Sequence, residues 1–450
     1  MSRSAEQLLR AAREWIDGDP DPGTRLELET LITQGDFAEL ELRLSPIGFG
    51  TAGLRARVGA GSGYMNRAVV IRTASGIARY LLAQAQAPES PVVIGFDARP
   101  TSRVFAEVSA GVLLAAGLPV LAFPEPVATP LVAFTARELG ARLAIVVTAS
   151  HNPRADNGYK VYGPDAVQIA APVDVAIARE IALALPARQV PRYDVDFADK
   201  APPHAALTLA SAELQDRYFQ ALARALPAGR VGRALRIAYS ALHGVGWAPV
   251  KRALGEAGFS VLHAVSEQST PDGSFPTTPF PNPEEPDTLD LSLALGERMN
   301  AELVLVNDPD ADRLAAAARF DGELVALDGN QLGALLADHA LSMYRGRGKP
   351  LILTSVVSSP LVEQLALARG ARHERTLTGF KWLWRAALAL EDAGAGSFCF
   401  GYEEALGYSI FSGVRDKDGI SAARALAELA ASLNERQQTL FDRLFELYRE

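Results

Sequence analysis

Leu143-Ala144-Ile145-Val146-Val147-Thr148-Ala149-Ser150-His151-Asn152-Pro153 is the most informative stretch of this chain. The apolar run 143–147 reads as a buried strand. A serine just past the carboxyl end of such a strand lies where open α/β sheets place their ligands. Its hydroxyl could be a nucleophile or a phosphate carrier. The residues flanking Ser150 argue against a hydrolase triad. Thr148 and Asn152 hold the places that glycines take in a nucleophile elbow. His151 is its sequence neighbour, and neighbours generally point apart, so it reads as a poor base. A hydrogen-bonded loop histidine and a phosphate contact both remain open for it.

Outward from this loop, apolar runs alternate with helix-like segments. Residues 92–95, 120–123 and 143–147 read as strands, and 74–83 and 104–116 as helices, which implies a mostly parallel sheet covered by helices. Residues 1–45 look helical, with Leu8, Leu9, Ala12 and Trp15 on one face and a Pro/Gly/Asp break at 18–23. The Pro-bearing stretch 186–203 reads as a linker. A second α/β region has strands at 235–239, 260–264 and 303–306, and its Pro-rich segment 271–286 reads as an ordered surface loop. A third has strands at 351–355, 373–377 and 398–401 and closing helices at 421–432 and 440–448. The expectation is three consecutive α/β domains with mostly parallel or mixed sheets around a central cleft: 1–205 with the helical extension and serine loop, 206–320, and 321–450.

Composition bounds the function. The chain has 450 residues, 48% hydrophobic and 22% charged, as in a well-packed protein of more than one domain with a sizeable core. A formal net charge of -9 argues against nucleic acid or an anionic membrane as the main partner. A local cluster of arginines and lysines could still hold an anionic substrate. The single cysteine, Cys399, excludes an intrachain disulfide and, with apolar flanks, reads as core. Residues 1–21 have scattered charges and no signal-peptide core, and no apolar run of about 18 residues is present. A reducing cytoplasm is the expected compartment.

The second region delivers Asp308-Pro309-Asp310-Ala311-Asp312-Arg313 straight after its strand. In extended backbone these alternate carboxylates share a face. Their mutual repulsion points to a hard divalent cation with oxygen ligands. An EF-hand fits badly, because Arg313 and Arg319 stand where that loop needs Gly and Glu. A phosphatase carrying phosphate on Asp308 is a rival reading. Ser150 complements the triplet, since a phosphate ester there would offer the cation an oxygen. Around them lie a glycine-bearing turn, 49–55, ending in Arg55, and 157–160, which could return Lys160 to the serine. The third region adds a loop at 376–382 with Thr378, Gly379 and Trp382. A second loop, 401–408, carries Glu403, Glu404 and Ala405, and a third, 415–419, carries Arg415 and Lys417. An exposed Glu at this strand end could accept bonds from sugar hydroxyls. Trp382 could stack on a sugar or lie in the core. Lys417 could serve as acid, base or phosphate contact, or belong to a solvated turn.

In order and spacing, residues 148–153, 308–313, 402–407 and 415–419 resemble the signature loops of the α-D-phosphohexomutases, the phosphoglucomutases and phosphomannomutases. Residues 49–55, 96–99, 241–246 and 271–275 are similar to the branch of bacterial phosphoglucomutases and animal phosphopentomutase-like enzymes. The resemblance implies phosphoserine at Ser150, with Mg²⁺ held by Asp308, Asp310, Asp312 and the seryl phosphate. It implies transfer to a sugar 1- or 6-phosphate, a bound bisphosphate that reorients, and glucose 1,6-bisphosphate as activator. Arg55, Lys160 and His151 would serve the reacting group, and Arg313 would lie near metal and phosphate. Thr378, Gly379, Glu403, Ala405, Arg415 and Lys417 would bind substrate. Glucose is the expected sugar. Phosphopentomutase, phosphomannomutase, glucose-1,6-bisphosphate synthase and a sugar-phosphate-binding protein with little activity are the alternatives. Ala405 stands where many members have a hydroxyl residue, which bears on sugar preference. Members carry a fourth domain with a phosphate-binding loop. No such segment is recognisable here, so the resemblance implies weak turnover by this chain alone.

Overall fold

The structure, a computed structural model, describes residues 3–50, 53–84, 89–199, 204–229 and 233–450. Thr51 and Ala52 of the turn before Arg55, and residues 200–203 of the Pro-bearing stretch, lie outside the described residues. The chain divides into two compact units, residues 1–126 with 138–211, and residues 127–137 with 212–450.

The first unit begins with three helices, Ala5–Gly18, Pro22–Gln34 and Phe37–Arg43. Local chemistry sets their ends. Ser4 and Gln7 form a capping box, Pro22 opens the second helix, and Gly35 closes it at a left-handed φ of 69°. Leu8, Ala12, Leu28, Leu40, Leu44 and Ala60 form a small core of their own. The main sheet uses β1 (Leu54–Arg57), β2 (Val92–Phe96), β3 (Val120–Ala122), β4 (Leu143–Val147), β5 (Asp156–Tyr162) and β6 (Leu207–Leu209) in the order β1-β5-β4-β2-β3-β6. The strands β4, β2, β3 and β6 run parallel, while β5 is antiparallel to both β4 and β1. Central strands β2 and β4 are buried throughout, as their unbroken apolar runs require. The serine loop is therefore the connection of the β4–β5 hairpin.

The Pro-bearing stretch is not a free linker. Val190, Val195 and Phe197 are buried in the first unit's core, and the Tyr193 amide donates to the Gly111 carbonyl at 3.1 Å. Apolar residues spaced along the prolines give this strap something to bury, which a solvated linker lacks.

The second unit holds two sheets. One contains β7 (Ile237–Ser240), β8 (Leu262–Ala264), β9 (Leu303–Asn307), β10 (Leu314–Phe320) and β11 (Glu323–Leu327) in the order β11-β10-β9-β7-β8. The other contains β12 (Pro350–Ser355), β13 (Arg372–Thr376), β14 (Ser397–Glu403) and β15 (Gly407–Ser409) in the order β13-β12-β14-β15. Both mix parallel and antiparallel pairs. The Leu-Ala-Ala-Ala-Ala run of β10 has little strand propensity, yet it pairs with β9 and β11 on either side. Tertiary pairing overrides local preference there. Residues 127–137, expected within 1–205, pack with the second unit. Phe134 meets Tyr218 edge-on at 5.4 Å and stacks with Phe411 at 6.2 Å. In the 271–286 loop, Phe275 is buried and Phe280 exposed. Cys399 is buried, and burial raises its thiol to about 12, which makes it an inert core residue. Trp384 fills the core of the third region, while Trp382 is only half-buried.

Two outcomes follow from packing. A Cβ on Gly158 would press on the Thr148 carbonyl, lie 2.8 Å from the Leu54 carbonyl oxygen and crowd Arg55. Gly158→Ala should cost about 1–3 kcal/mol, seen as an earlier urea midpoint of the first unit. His339, on helix Gly329–Met343, is pushed down to about 4 by burial, against the pull of Glu428 and Asp338. The folded state then binds fewer protons than the unfolded chain between pH 4 and the ordinary value near 6.5. Its contribution is complete above that value and is lost as pH falls towards 4, up to about 3 kcal/mol. His339→Gln should flatten the pH dependence of urea stability in that window.

Candidate active site

The serine loop is held by one guanidinium. Arg99 follows β2 and is almost fully buried. Its Nη2 donates to the carbonyls of Ser150 at 2.7 Å and Asn152 at 2.6 Å. Its Nη1 donates to the carbonyls of Pro153 at 2.9 Å and Asp156 at 2.8 Å. Asp97 supports it from behind, with Oδ2 at 3.3 Å from the Arg99 Nε. Asp97 also accepts from the Arg99 amide, from Ser102 Oγ and from Thr148 Oγ1. Burial raises the Asp97 carboxyl above its ordinary value, and Arg99 is the largest influence opposing that rise. Thr148 Oγ1 in turn accepts from the Ser150 amide at 2.8 Å.

Ser150 has a φ of 51°. This left-handed backbone is unfavourable for a residue with a Cβ, and the network around Arg99 and Thr148 holds it. The same turn corrects the reading of His151. Its Nδ1 lies 3.2 Å from Ser150 Oγ, because a left-handed residue does not send neighbouring side chains apart as extended backbone does. Arg55 reaches the loop by donating from Nη1 to Asn152 Oδ1 at 3.2 Å. In β1 it stands opposite Gly158 of β5, so Arg55 and the buried Lys160 share a face of the sheet. The first unit thus gathers Ser150, His151, Arg55 and Lys160 at one end of its sheet.

In the second unit, Asp308, Asp310 and Asp312 lie between β9 and β10, all buried, with carboxylate oxygens within 4.8 Å of one another. Their convergence does not come from extended alternation. The segment is a turn, closed by the Ala311 amide on the Asp308 carbonyl at 2.9 Å and by Ala311 at φ 57°. A bent backbone brings the three together more tightly than a pleated one. Thr129 Oγ1 donates to Asp310 Oδ2 at 2.7 Å, the Arg313 amide donates to Asp308 Oδ1 at 3.0 Å, and Lys417 Nζ lies 3.2 Å from Asp312 Oδ2. Gly244 packs so closely on Pro309 that a Cβ there would collide with backbone. Burial, then Asp310 and Asp312, push the Asp308 carboxyl well above its ordinary range.

The third sheet's loops join this cluster. Glu403 Oε1 accepts from the amide of Gly379, whose φ of 119° sharply turns the chain into helix Phe380–Asp392. Burial raises the Glu403 carboxyl, and Lys417 is the largest influence lowering it. Burial works against the Lys417 ammonium, but Asp312 and Asp416 outweigh it, so this lysine stays charged. Arg313 pairs with Glu284 at 2.9 Å and bridges to Gly407 through its backbone. Thr378 is exposed at the rim, and Ala405 and Arg415 are half-buried. Arg99, Asp97, Thr129, Asp416 and Glu284 were not picked out from sequence as site residues. The strand-end position of residues 96–99 was the available signal for the first two. Thr129 and Glu284 are brought in only by folding.

Three family models match the chain: phosphoglucomutase/phosphomannomutase alpha/beta/alpha domain I over residues 46–185, domain II over 216–320 and domain III over 328–449. The chain belongs to the phosphoglucomutase/phosphomannomutase family, enzymes of the intramolecular phosphotransferase (isomerase) class. Among its relatives, phosphopentomutase of Homo sapiens is 38% identical, over 99% of this chain and 75% of the relative. Glucose 1,6-bisphosphate synthase of Mus musculus is 35% identical, over 98% of this chain and 73% of the relative. The crystal structure of a phosphoglucomutase/phosphomannomutase family protein from Burkholderia thailandensis shares the fold, with a TM-score of 0.69 at 20% identity, covering 88% of this chain and 79% of that one.

The triad is open to a direct check. Mn²⁺ titrated by electron paramagnetic resonance should bind once per chain, and Asp310→Asn should abolish the binding. Thr129→Ala removes only a bond to Asp310 and should weaken affinity about 10- to 100-fold.

Proposed function

We propose that this chain carries a phosphoryl group on Ser150 and uses it to interconvert the 1-phosphate and the terminal phosphate of an aldose. The carrying observation is the buried Asp308, Asp310 and Asp312 triad in a member of this family. Three close carboxylates out of water suit a hard divalent cation, and Mg²⁺ retains positions for phosphate oxygens and water. When bound, it would neutralise charge on the transferring phosphoryl group. An oxygen of the seryl phosphate is the proposed further ligand.

The protein's own residues have separate tasks. The free hydroxyl of the bound sugar phosphate attacks phosphorus, and the bond from phosphorus to Ser150 Oγ breaks. The products are a sugar bisphosphate and a Ser150 hydroxyl, so one proton leaves the sugar and one arrives at Oγ. His151, with Nδ1 at 3.2 Å, is suited to hold the proton at Oγ. Arg55 and Lys160 offset charge on the moving phosphoryl group. The bisphosphate turns end for end and returns its other phosphoryl group to Ser150. Glu403, Thr378, Gly379 and Ala405 are the proposed sugar contacts, and Lys417 and Arg415 the contacts to the idle phosphate, with Arg313 beside metal and phosphate. Glucose 1,6-bisphosphate would recharge an enzyme that has lost its phosphate.

The sugar has two readings. The resemblance of the signature loops puts glucose first, while the loops themselves do not separate the sugars. The human phosphopentomutase, at 38% identity, supports a pentose 1-phosphate and 5-phosphate pair, and we place that pair first. Intact mass with peptide fragmentation should find one phosphate on Ser150 that Ser150→Ala lacks. It should be exchanged on addition of ribose 1-phosphate, with ribose 5-phosphate formed at a higher kcat/KM than the glucose reaction shows. Faster glucose turnover would reverse the order of sugars. A phosphate on Asp308, released by hydroxylamine and retained in Ser150→Ala, would overturn the mechanism.

A further inference from the structure

Between the N-terminal helices and helices Arg67–Leu82 and Val173–Ala182, the first unit contains two adjoining cavities of about 310 and 350 Å³. Trp15 and Arg72 line both. The indole Nε1 of Trp15 and the Nε of Arg72 are shielded from water and have no hydrogen-bond partner among the described residues. Arg72 Nη2 has one long bond to the Ile181 carbonyl, at 3.5 Å. No carboxylate of the described residues forms an ion pair with it. Glu14 lines the first cavity, but its side chain is largely exposed and lies 3.9 Å from Arg10. A cation drawn partly out of water without a counter-ion is costly. Here a half-buried guanidinium without an ion pair among the described residues lines both cavities, and the remaining walls are mostly apolar.

We propose that these cavities form a binding site for a small organic monoanion with a flat apolar body. Its oxygens accept from the Arg72 guanidinium, and its body lies against Trp15, Ile47, Val69 and Ile181. A phosphosugar does not suit it, because a ring of hydroxyls would meet apolar walls. Phe49 and Leu54 also line the site, and Leu54 precedes Arg55 on β1. Occupation therefore bears on the strand that carries Arg55 to the serine loop.

The probe is 8-anilinonaphthalene-1-sulfonate, followed by its fluorescence on the folded chain, beside the uncharged N-phenyl-1-naphthylamine. The sulfonate should bind once per chain. Arg72→Gln should weaken it about tenfold or more, about 1.4 kcal/mol per decade, and leave the uncharged probe unchanged. Ala178→Trp, at the exposed mouth, should block both probes at unchanged melting temperature. Absence of stoichiometric sulfonate binding, equal sulfonate binding by wild type and both variants, or an uncharged probe that binds as tightly as the sulfonate would each overturn the proposal.

Discussion

Three aspartates packed with their oxygens within 4.8 Å of one another are the constraint around which the second unit is arranged. Like charges out of water repel strongly, so such a site persists only where its surroundings hold it. A threonine, a backbone amide and a lysine each occupy one carboxylate. The turn that converges them needs Ala311 at positive φ, and Gly244 and Gly419 let backbone approach it where a side chain would collide. The convergence of charge and the positive φ are each unfavourable for folding by themselves, and the three contacts offset them. Together they describe a site whose charge suits a divalent cation.

The first unit answers a related problem with the opposite charge. One arginine spends four hydrogen bonds on carbonyls of a single loop. That holds Ser150 in a strained backbone position, with its neighbours' carbonyls tied to the same guanidinium. A planar guanidinium suits this work, because its fork can meet several carbonyls from a fixed position and a lysine cannot. The cost of burying Arg99 is offset by Asp97, which also orients Thr148 beneath the serine. Pre-organisation here is a property of residues that brace the serine loop from behind.

Much of the fold was legible because its central strands are buried on both faces. Residues 92–95, 143–147 and 303–306 are unbroken apolar runs, and each was followed by a polar loop worth reading. The strands that escaped notice are the ones whose identity depends on neighbours: the alanine-rich β10 and its partner β11, the polar β5, and the short β1, β6 and β15. The stretch 186–203 was read from its prolines, while its burial depends on Val190, Val195 and Phe197 finding a surface to cover. Residues 127–137 joined the second unit because Phe134 and Thr129 have partners there, and no local signal announces a distant partner.

The sequence by itself determined the chemical inventory: a strand-end serine, three alternate aspartates, and the arginines, lysines and glutamate of the following loops. Residue types and spacing carry that information because a carboxylate is a carboxylate in any conformation. Tertiary structure decided how those groups are poised. The positive φ of Ser150 brought His151 to its hydroxyl, the bend at Ala311 closed the triad, and Arg99 and Thr129 entered from distant segments. These depend on backbone torsions and on partners far apart in the chain. Local spacing cannot encode them, because long-range packing selects them only when the whole unit folds.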